Sequence, residues 1–164
     1  MYRFLILLTV LCLPAMANPL ASLNKYGEGE MKAFFWSLYK AELYGTQETY
    51  SPNDKHLALK ITYHRNIRKQ ALINATNEQW QHIGINHPQT EAWLTDLSTI
   101  WPDVKPGDTL IVKRNTDGTT TFFNTTNVLG SIQHPDFAEA FLSIWLSEKT
   151  SRPKLRQALL GHTQ

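Results

Sequence analysis

The chain has 164 residues and a mass of 18.8 kDa, with 16 basic and 14 acidic side chains and a formal charge of +2. This balance excludes a strongly basic nucleic-acid-binding domain, and the 5 Trp, 6 Tyr and 7 Phe exclude a disordered chain. The single cysteine excludes a disulfide framework and any site built from several cysteines. The composition predicts one globular domain and no nucleic-acid partner.

Residues 1–17 have the features of an export signal. A short basic start precedes an apolar run over residues 4–13, and Ala15 and Ala17 fit the A-x-A cleavage pattern. The run is shorter than the roughly 20 residues that a membrane-spanning helix needs. The sequence therefore predicts a signal peptide cleaved after Ala17, a periplasmic location, and a mature domain over residues 18–164 without stable membrane insertion. An uncleaved N-terminal anchor is the alternative.

Two strands are predicted in the first half of the domain. Residues 31–44 are rich in aromatic side chains that alternate imperfectly with polar ones, which predicts one long strand. Gly27 and Gly29, just before this segment, allow a turn. Residues 56–65 alternate cleanly, so one face of this second strand is shared by Leu57, Leu59, Ile61, Tyr63 and Arg65.

The rest of the chain is predicted to contain two pairs of helices separated by a hairpin. Apolar residues at helical spacing and turn signals place helices at 68–83, 91–101, 136–146 and 152–160, and strands at 109–114, 119–124 and 127–132. Ser151 is predicted to cap the last helix and Gly161 to follow its end. Because strands and helices do not alternate strictly, the order predicts an α+β fold with a largely antiparallel sheet.

Arg65 is the most informative candidate for a binding residue. It continues the apolar face of its predicted strand beside Tyr63, so its charge is expected at the rim of an apolar surface. A charge in that position needs an anionic or carbonyl partner, because an unpaired buried charge is costly. Either Arg65 binds a ligand carboxylate or it is held within the protein, by an ion pair or by helix-end carbonyls, and the sequence leaves both interpretations open.

Tyr39 is a second candidate, and Ser37 lies on the same face of the first predicted strand. Small and hydroxyl-bearing side chains on an inner face are typical of a ligand cleft, although ordinary core packing is the alternative for Tyr39. The six histidines show no metal-ligand spacing, and His87 and His134 precede prolines at predicted helix starts. The sequence predicts no metal site and no cofactor.

Several segments together resemble a known family. They are FFWSLYKAELY at 34–44, LKITYHRNI at 59–67, WPDVKPGDTL at 101–110, DFAEAFLSIWLSEKTS at 136–151 and LRQALLG at 155–161. In this order and spacing they resemble the bacterial chalcone isomerase-like proteins, exported relatives of plant chalcone isomerase. The resemblance covers residues 25–161. It implies an open-faced β-sandwich with a long antiparallel sheet, a helical layer and a ligand cleft between them.

The resemblance implies less about catalysis. The arginine that steers the substrate oxygen in plant chalcone isomerase falls at Glu30 or Met31, which cannot supply its positive charge. The enzyme's strand threonine falls at Tyr39, and its later threonine or serine falls near Asn127. The resemblance therefore favours a non-catalytic protein that binds a small amphipathic molecule or lipid, such as a fatty acid. The predicted ligand-binding residues are Arg65, Tyr39, Ser37, Tyr63 and Asn127.

Two other functions remain as alternatives. One is an isomerase (an intramolecular lyase) for an enone-like substrate, with Tyr39 as acid and base and Arg65 as the anion stabiliser. The other is an interaction module for an envelope protein, which a contiguous exposed patch containing Trp36, Trp93 or Trp145 would favour. The oligomeric state cannot be read from these patterns.

Overall fold

The fold is built from strands and helices in a computed structural model that describes residues 18–125 and 127–162. In chain order these elements are β1 (Asn24–Ala33), β2 (Trp36–Gly45), β3 (Ala58–Tyr63), α1 (Lys69–Ile83), α2 (Thr90–Ile100), β4 (Thr109–Arg114), β5 (Thr120–Phe123), β6 (Val128–Ile132), α3 (Phe137–Leu146) and α4 (Pro153–Leu159). The predicted α+β class is confirmed. The predicted signal peptide and its cleavage site after Ala17 lie outside the described residues.

The strands form one antiparallel sheet in which each strand pairs with its neighbour in sequence, from β1 at one edge to β6 at the other. The two faces of this sheet differ in polarity. Ala41, Leu43 and Leu59 are completely buried on the face that meets the helices. Glu42 and Lys60 lie on the opposite face, where they form an ion pair of 3.2 Å. This arrangement confirms the open-faced sheet with a helical layer.

The prediction of one long strand over residues 31–44 is wrong, because the chain reverses at Phe34 and Phe35 between β1 and β2. Phe34 adopts a φ of 55°, a left-handed conformation that is rare for a bulky residue. Turns of this kind usually carry Gly, Asn or Asp, and none of these residues stands at the reversal. The sequence therefore offers no turn signal at this position.

Gly27 and Gly29 do not form the expected turn but lie within β1, beneath α4. A Cβ atom added to Gly27 would lie 2.0 Å from the carbonyl oxygen of Ala158. At Gly29 it would lie 2.8 Å from Cδ1 of Leu155. The two glycines let α4 pack directly on the backbone of β1.

The predicted strand over residues 56–65 is shorter in the structure, because β3 ends at Tyr63 and the chain bends at His64 and Arg65. The four helices have nearly the predicted bounds. Ser151 does not cap α4; its hydroxyl instead donates a hydrogen bond of 2.6 Å to Oε1 of Gln79 on α1. None of the helices in the described ranges is both long and apolar enough to cross a membrane.

An aromatic core fills the space between α1, α2, α3 and the β4–β5 part of the sheet. The indole of Trp80 is fully buried and donates from Nε1 to the carbonyl oxygen of Ala140 at 2.9 Å. Neighbouring rings meet it mainly edge to face, the preferred geometry of aromatic pairs. The largest buried rings of this cluster are Trp80, Trp93, Phe122, Phe137 and Phe141.

Candidate functional site

A cavity of about 260 Å³ lies between the sheet and the helices, beside the end of β2 that joins the hairpin turn. Its walls come from β1, β2, β3 and β4 below and from α1, α3 and α4 above. Most of the lining side chains are apolar. None of the described residues that line the cavity is Asp, Glu, His, Lys or Cys, and the polar lining residues are Tyr39, Tyr63, Thr76, Gln79, Thr150, Ser151 and Arg152.

Tyr39 and Tyr63 face each other across the β2–β3 ladder and lie in the floor of the cavity. Their rings meet edge to face at 6.1 Å, and the Tyr39 hydroxyl accepts a hydrogen bond of 2.9 Å from Nε1 of Trp145. Burial raises the pKa of Tyr39 to about 12 and also raises the pKa of Tyr63. Both phenols are therefore neutral hydrogen-bond donors at neutral pH.

Two polar groups of the cavity wall have no partner within the described part of the chain. Nε1 of Trp101 is buried and makes no hydrogen bond. The Tyr63 hydroxyl also has no hydrogen bond, although Tyr63 is only 4% exposed. The Tyr63 hydroxyl is therefore available to a polar atom of a ligand or of water, whereas Nε1 of Trp101 is closed off from the cavity by its neighbours.

Arg152 brings the positive charge of the site. It lies in the turn between α3 and α4 and lines the cavity, and no described carboxylate lies within ion-pair distance of its guanidinium. Its charge acts on the Tyr39 phenol, whose pKa burial raises and Arg152 partly lowers. Arg152 and Tyr39 are thus two polar residues that line the same cavity.

The turn that carries Arg152 is held by three contacts. The hydroxyl of Thr150 donates to the carbonyl oxygen of Ile144 at 2.7 Å, and the backbone N–H of Arg152 donates to Oγ1 of Thr150 at 3.2 Å. The hydroxyl of Ser151 binds Gln79 on α1. These contacts fix the backbone of Arg152 relative to α1 and α3 before any ligand binds.

The structure brings together only part of the predicted site. Tyr39 and Tyr63 line the cavity, whereas Arg65, Ser37 and Asn127 do not. Arg65 lies beyond the end of β3, where its guanidinium stacks over the ring of Trp36 at 4.5 Å. It has neither of the two expected environments, because it lines no cavity and forms no ion pair with a described carboxylate.

Ser37 and Asn127 lie elsewhere on the surface. The hydroxyl of Ser37 donates to Glu30 and lies 3.2 Å from Nδ1 of His64. Asn127 is in the loop between β5 and β6, where its backbone N–H donates to Oδ1 of Asn124 at 2.6 Å. Sequence reasoning missed Arg152, because no local pattern distinguishes it from the other exposed arginines.

A second polar cluster lies at the N-terminal ends of α2 and α3. Nε2 of His87 is 3.4 Å from Oδ2 of Asp136, and His134 completes a group close enough to hold a metal ion. However, Nδ1 of His87 accepts the N–H of Gln89 at 3.1 Å, and Nδ1 of His134 accepts the N–H of Asp136 at 3.3 Å. Both histidines therefore accept backbone hydrogen bonds just before α2 and α3, which agrees with their predicted positions at helix starts.

The fold and the cavity define an α+β protein with an open antiparallel sheet and an apolar pocket under its helices. The model of the chalcone isomerase-like family matches residues 16–161, and the chain belongs to this family. A protein of Haemophilus influenzae, described as uncharacterized, is 27% identical over 148 residues, which cover 90% of this chain and 73% of that protein.

Among solved structures, the chain is similar to a fatty-acid binding protein of Arabidopsis thaliana. The TM-score is 0.67 with 12% sequence identity, and the match covers 91% of each chain. At this identity the likeness establishes the fold. It agrees with the fold that the sequence resemblance implies.

Proposed function

We propose that this chain is a non-catalytic binding protein for a small amphipathic molecule with an anionic head and an apolar tail, such as a fatty acid. The observation that carries this proposal is the cavity itself: an apolar chamber of about 260 Å³ whose lining, in the described part of the chain, contains the cation Arg152 and the two neutral phenols of Tyr39 and Tyr63. Ligand pockets usually measure about 300–1,000 Å³, so this cavity favours a ligand at the small end of that range.

The polar groups match a carboxylate head. A guanidinium binds a carboxylate through charge-assisted hydrogen bonds, and a neutral phenol adds one more donor. Arg152 and Tyr39 supply these two kinds of donor, while the Tyr63 hydroxyl remains without a protein partner. The apolar side chains of α1, α3 and the sheet then surround the tail. The fold shared with a plant fatty-acid binding protein supports the same class of ligand.

The chemistry of the lining does not favour an isomerase. General bases work best when their pKa lies near the operating pH, and the pKa of Tyr39 is about 12. Arg65, the predicted anion stabiliser of the isomerase alternative, lies over Trp36 and outside the cavity. The groups present are suited to holding a ligand rather than to moving its protons.

The binding test compares two arginines. Native mass spectrometry and equilibrium titration with saturated fatty acids of increasing length should show one ligand per chain. Arg152→Gln should weaken binding about ten-fold or more, since hydrogen bonds to charged groups contribute about 1.5–3 kcal/mol. The matched control Arg65→Gln should leave the affinity unchanged. Loss of affinity in Arg65→Gln alone would overturn the placement of the head group at Arg152.

A ligand without the carboxylate distinguishes the contribution of the head group to the affinity from that of the apolar tail. The fatty alcohol of the same chain length lacks the carboxylate, so its affinity should be the same in the native chain and in Arg152→Gln. Failure of both the acid and the alcohol to bind would contradict the proposal as a whole.

We also propose that the protein acts in the periplasm. The support is the apolar run over residues 4–13 followed by Ala15 and Ala17. Fractionation of a Gram-negative host that expresses the full gene, followed by N-terminal sequencing, should find a periplasmic chain that begins at Asn18. A chain that keeps residues 1–17 in the membrane fraction would show an anchor instead.

A further inference from the structure

The turn between β1 and β2 presents three consecutive aromatic side chains to solvent. Phe34 is 97% exposed, Phe35 is 98% exposed and Trp36 is 61% exposed. Val128, in edge strand β6, is the other large apolar side chain with high exposure among the described residues. Large apolar side chains concentrated at one surface point mark an interaction site. Phe34, Phe35 and Trp36 are called the aromatic tip below.

The backbone of the aromatic tip is unfavourable for the residue that occupies it. Phe34 is the only described residue other than glycine with a positive φ, and a bulky side chain is disfavoured in that conformation. Glycine would relieve this strain and remove an exposed ring. Neither the packing nor the backbone of the fold therefore accounts for a phenylalanine at this position, which points to a role outside the fold.

The charges around the aromatic tip are mainly positive. Residues 31–38 contain Lys32 and no acidic residue, and residues 61–68 contain Arg65 and Arg68 and no acidic residue. Arg65 lies directly over the ring of Trp36, so its charge is at the tip itself. The nearest carboxylate along β1 belongs to Glu30, which accepts the hydrogen bond from Ser37. This combination of aromatic rings and cations suits an anionic lipid surface.

The shape of the aromatic tip also favours a lipid surface. Two phenylalanines with almost all of their area exposed form a protrusion rather than a flat face or a groove. A fluid bilayer can surround such a protrusion, with the rings at the level of the lipid headgroups and the cations beside the phosphates. The adjoining residues Met31 and Leu38 line the cavity, so the tip stands at the same end of the sheet.

We propose that the aromatic tip docks this protein on the surface of an anionic phospholipid membrane, with Phe34, Phe35 and Trp36 inserted and Lys32 and Arg65 against the headgroups. This docking is peripheral and needs no spanning segment. It does not depend on what the cavity binds. If the cavity holds a lipid, the position of the tip beside it brings the cavity close to the membrane.

The test measures binding to vesicles of phosphatidylcholine with and without phosphatidylglycerol. The test protein begins at Asn18, because every described core residue lies after that point and the apolar run of residues 4–13 would bind vesicles by itself. Sedimentation should show binding that increases with phosphatidylglycerol content and weakens at high salt. No binding to the anionic vesicles would overturn the proposal.

Substitutions in the aromatic tip test whether it is the part of the protein that contacts the vesicles. Phe34→Ser combined with Phe35→Ser should lower the partition coefficient at least about ten-fold, because the apolar area of two rings is lost. Arg65→Gln should lower it about five-fold. The matched control Val128→Ser removes an exposed apolar side chain elsewhere and should change nothing. Equal binding by the native chain and the double variant would assign the contact to another surface.

Fluorescence gives an independent readout of insertion. Brominated lipids should quench the native chain more than Trp36→Phe, since Trp36 is the most exposed of the tryptophans in the described residues. Equal quenching of the two proteins would overturn insertion of the tip.

Sedimentation velocity without lipid tests whether the aromatic tip instead binds a second copy of this chain. Self-association that the double variant abolishes would assign the tip to protein contacts and overturn docking on lipid.

A negative result in the membrane test can be distinguished from a negative result in the fatty-acid binding test. The double variant keeps every residue of the cavity wall, so its affinity for a soluble fatty acid should equal that of the native chain. Vesicle binding that depends on the tip would stand even if no fatty acid bound the cavity.

Discussion

The two ends of the β1–β2 hairpin differ in burial and in hydrogen bonding. At the open end, Asp54 is 4% exposed, and its carboxylate accepts hydrogen bonds from the Tyr26 hydroxyl, from Thr46 and from the N–H of His56. At the turn, Phe34 and Phe35 contact little of the fold, and Phe34 carries a strained backbone. One end stabilises the hairpin, whereas the other lowers stability and keeps apolar surface available.

The largest effect is expected at the open end. Asp54→Asn removes the negative charge that four donors surround, and it places an amide NH₂ group against some of them. The free energy of unfolding should fall by about 2–4 kcal/mol, measured by urea denaturation. Asp117→Asn is the control, because Asp117 is exposed and accepts bonds only from Thr119 in its own turn. A loss of similar size in both variants would contradict the special role of Asp54.

The same carboxylate predicts a pH dependence. Burial alone would raise the pKa of Asp54, but hydrogen bonds from Tyr26, His56 and Thr46 lower it from 3.8 to about 2. Because the folded pKa lies below the unfolded one, the stabilisation is complete above about pH 4 and is lost as the pH falls toward 2. The stability difference between the native chain and Asp54→Asn should therefore be constant above pH 4 and shrink below it. A difference that stays constant down to pH 2 would show that the charge does not matter.

A smaller loss is expected at Tyr26. Its hydroxyl donates to Asp54 at 2.6 Å and accepts the N–H of Gln47 at 2.9 Å. Tyr26→Phe removes both hydrogen bonds and should lower the free energy of unfolding by about 1–2 kcal/mol. Tyr50→Phe is the matched control, since the ring of Tyr50 packs edge-on against Tyr26 at 6.1 Å and its hydroxyl has no described hydrogen-bond partner. Equal stability of the Tyr26→Phe variant and the native chain would remove Tyr26 from the network.

The smallest effect, of opposite sign, is expected at the turn. Phe34→Gly relieves a positive φ at a residue that packs against almost nothing, so the free energy of unfolding should rise by about 0.5–1 kcal/mol. Phe35→Gly provides the contrast, because Phe35 has no positive φ and glycine there adds only chain entropy. Its stability should fall by about 0.5–1 kcal/mol. A loss in both variants would mean that the turn is not strained.

The sequence predicts the four helices, most of the strands and two of the residues that line the cavity. Helices α1 and α2 follow from apolar residues at helical spacing, and their observed ends lie within one residue of the predicted ones. Tyr39 and Tyr63 follow from strand alternation, which assigns side chains to faces without knowledge of the rest of the fold. These features are local, so a local pattern is enough to find them.

The misplaced features depend on where strands end and on contacts between distant segments. Alternation does not show that β3 ends at Tyr63, so Arg65 was predicted on a face that the strand no longer has. The position of Arg152 depends on Thr150 and Ser151 bonding to α3 and α1. Likewise, the sequence gives no local signal for the turn at Phe34, because phenylalanine disfavours the positive φ that it adopts there.

Gly29 connects the edge of the sheet to the width of the cavity. The side chain of Leu155 is both the nearest neighbour of a Cβ atom at Gly29 and part of the cavity wall. A methyl group at Gly29 would therefore displace the side chain of Leu155, or the whole of α4, and so change the width of the cavity. If the cavity binds a ligand as proposed, the ligand length it accepts should therefore depend on a position of β1 that has no side chain, Gly29.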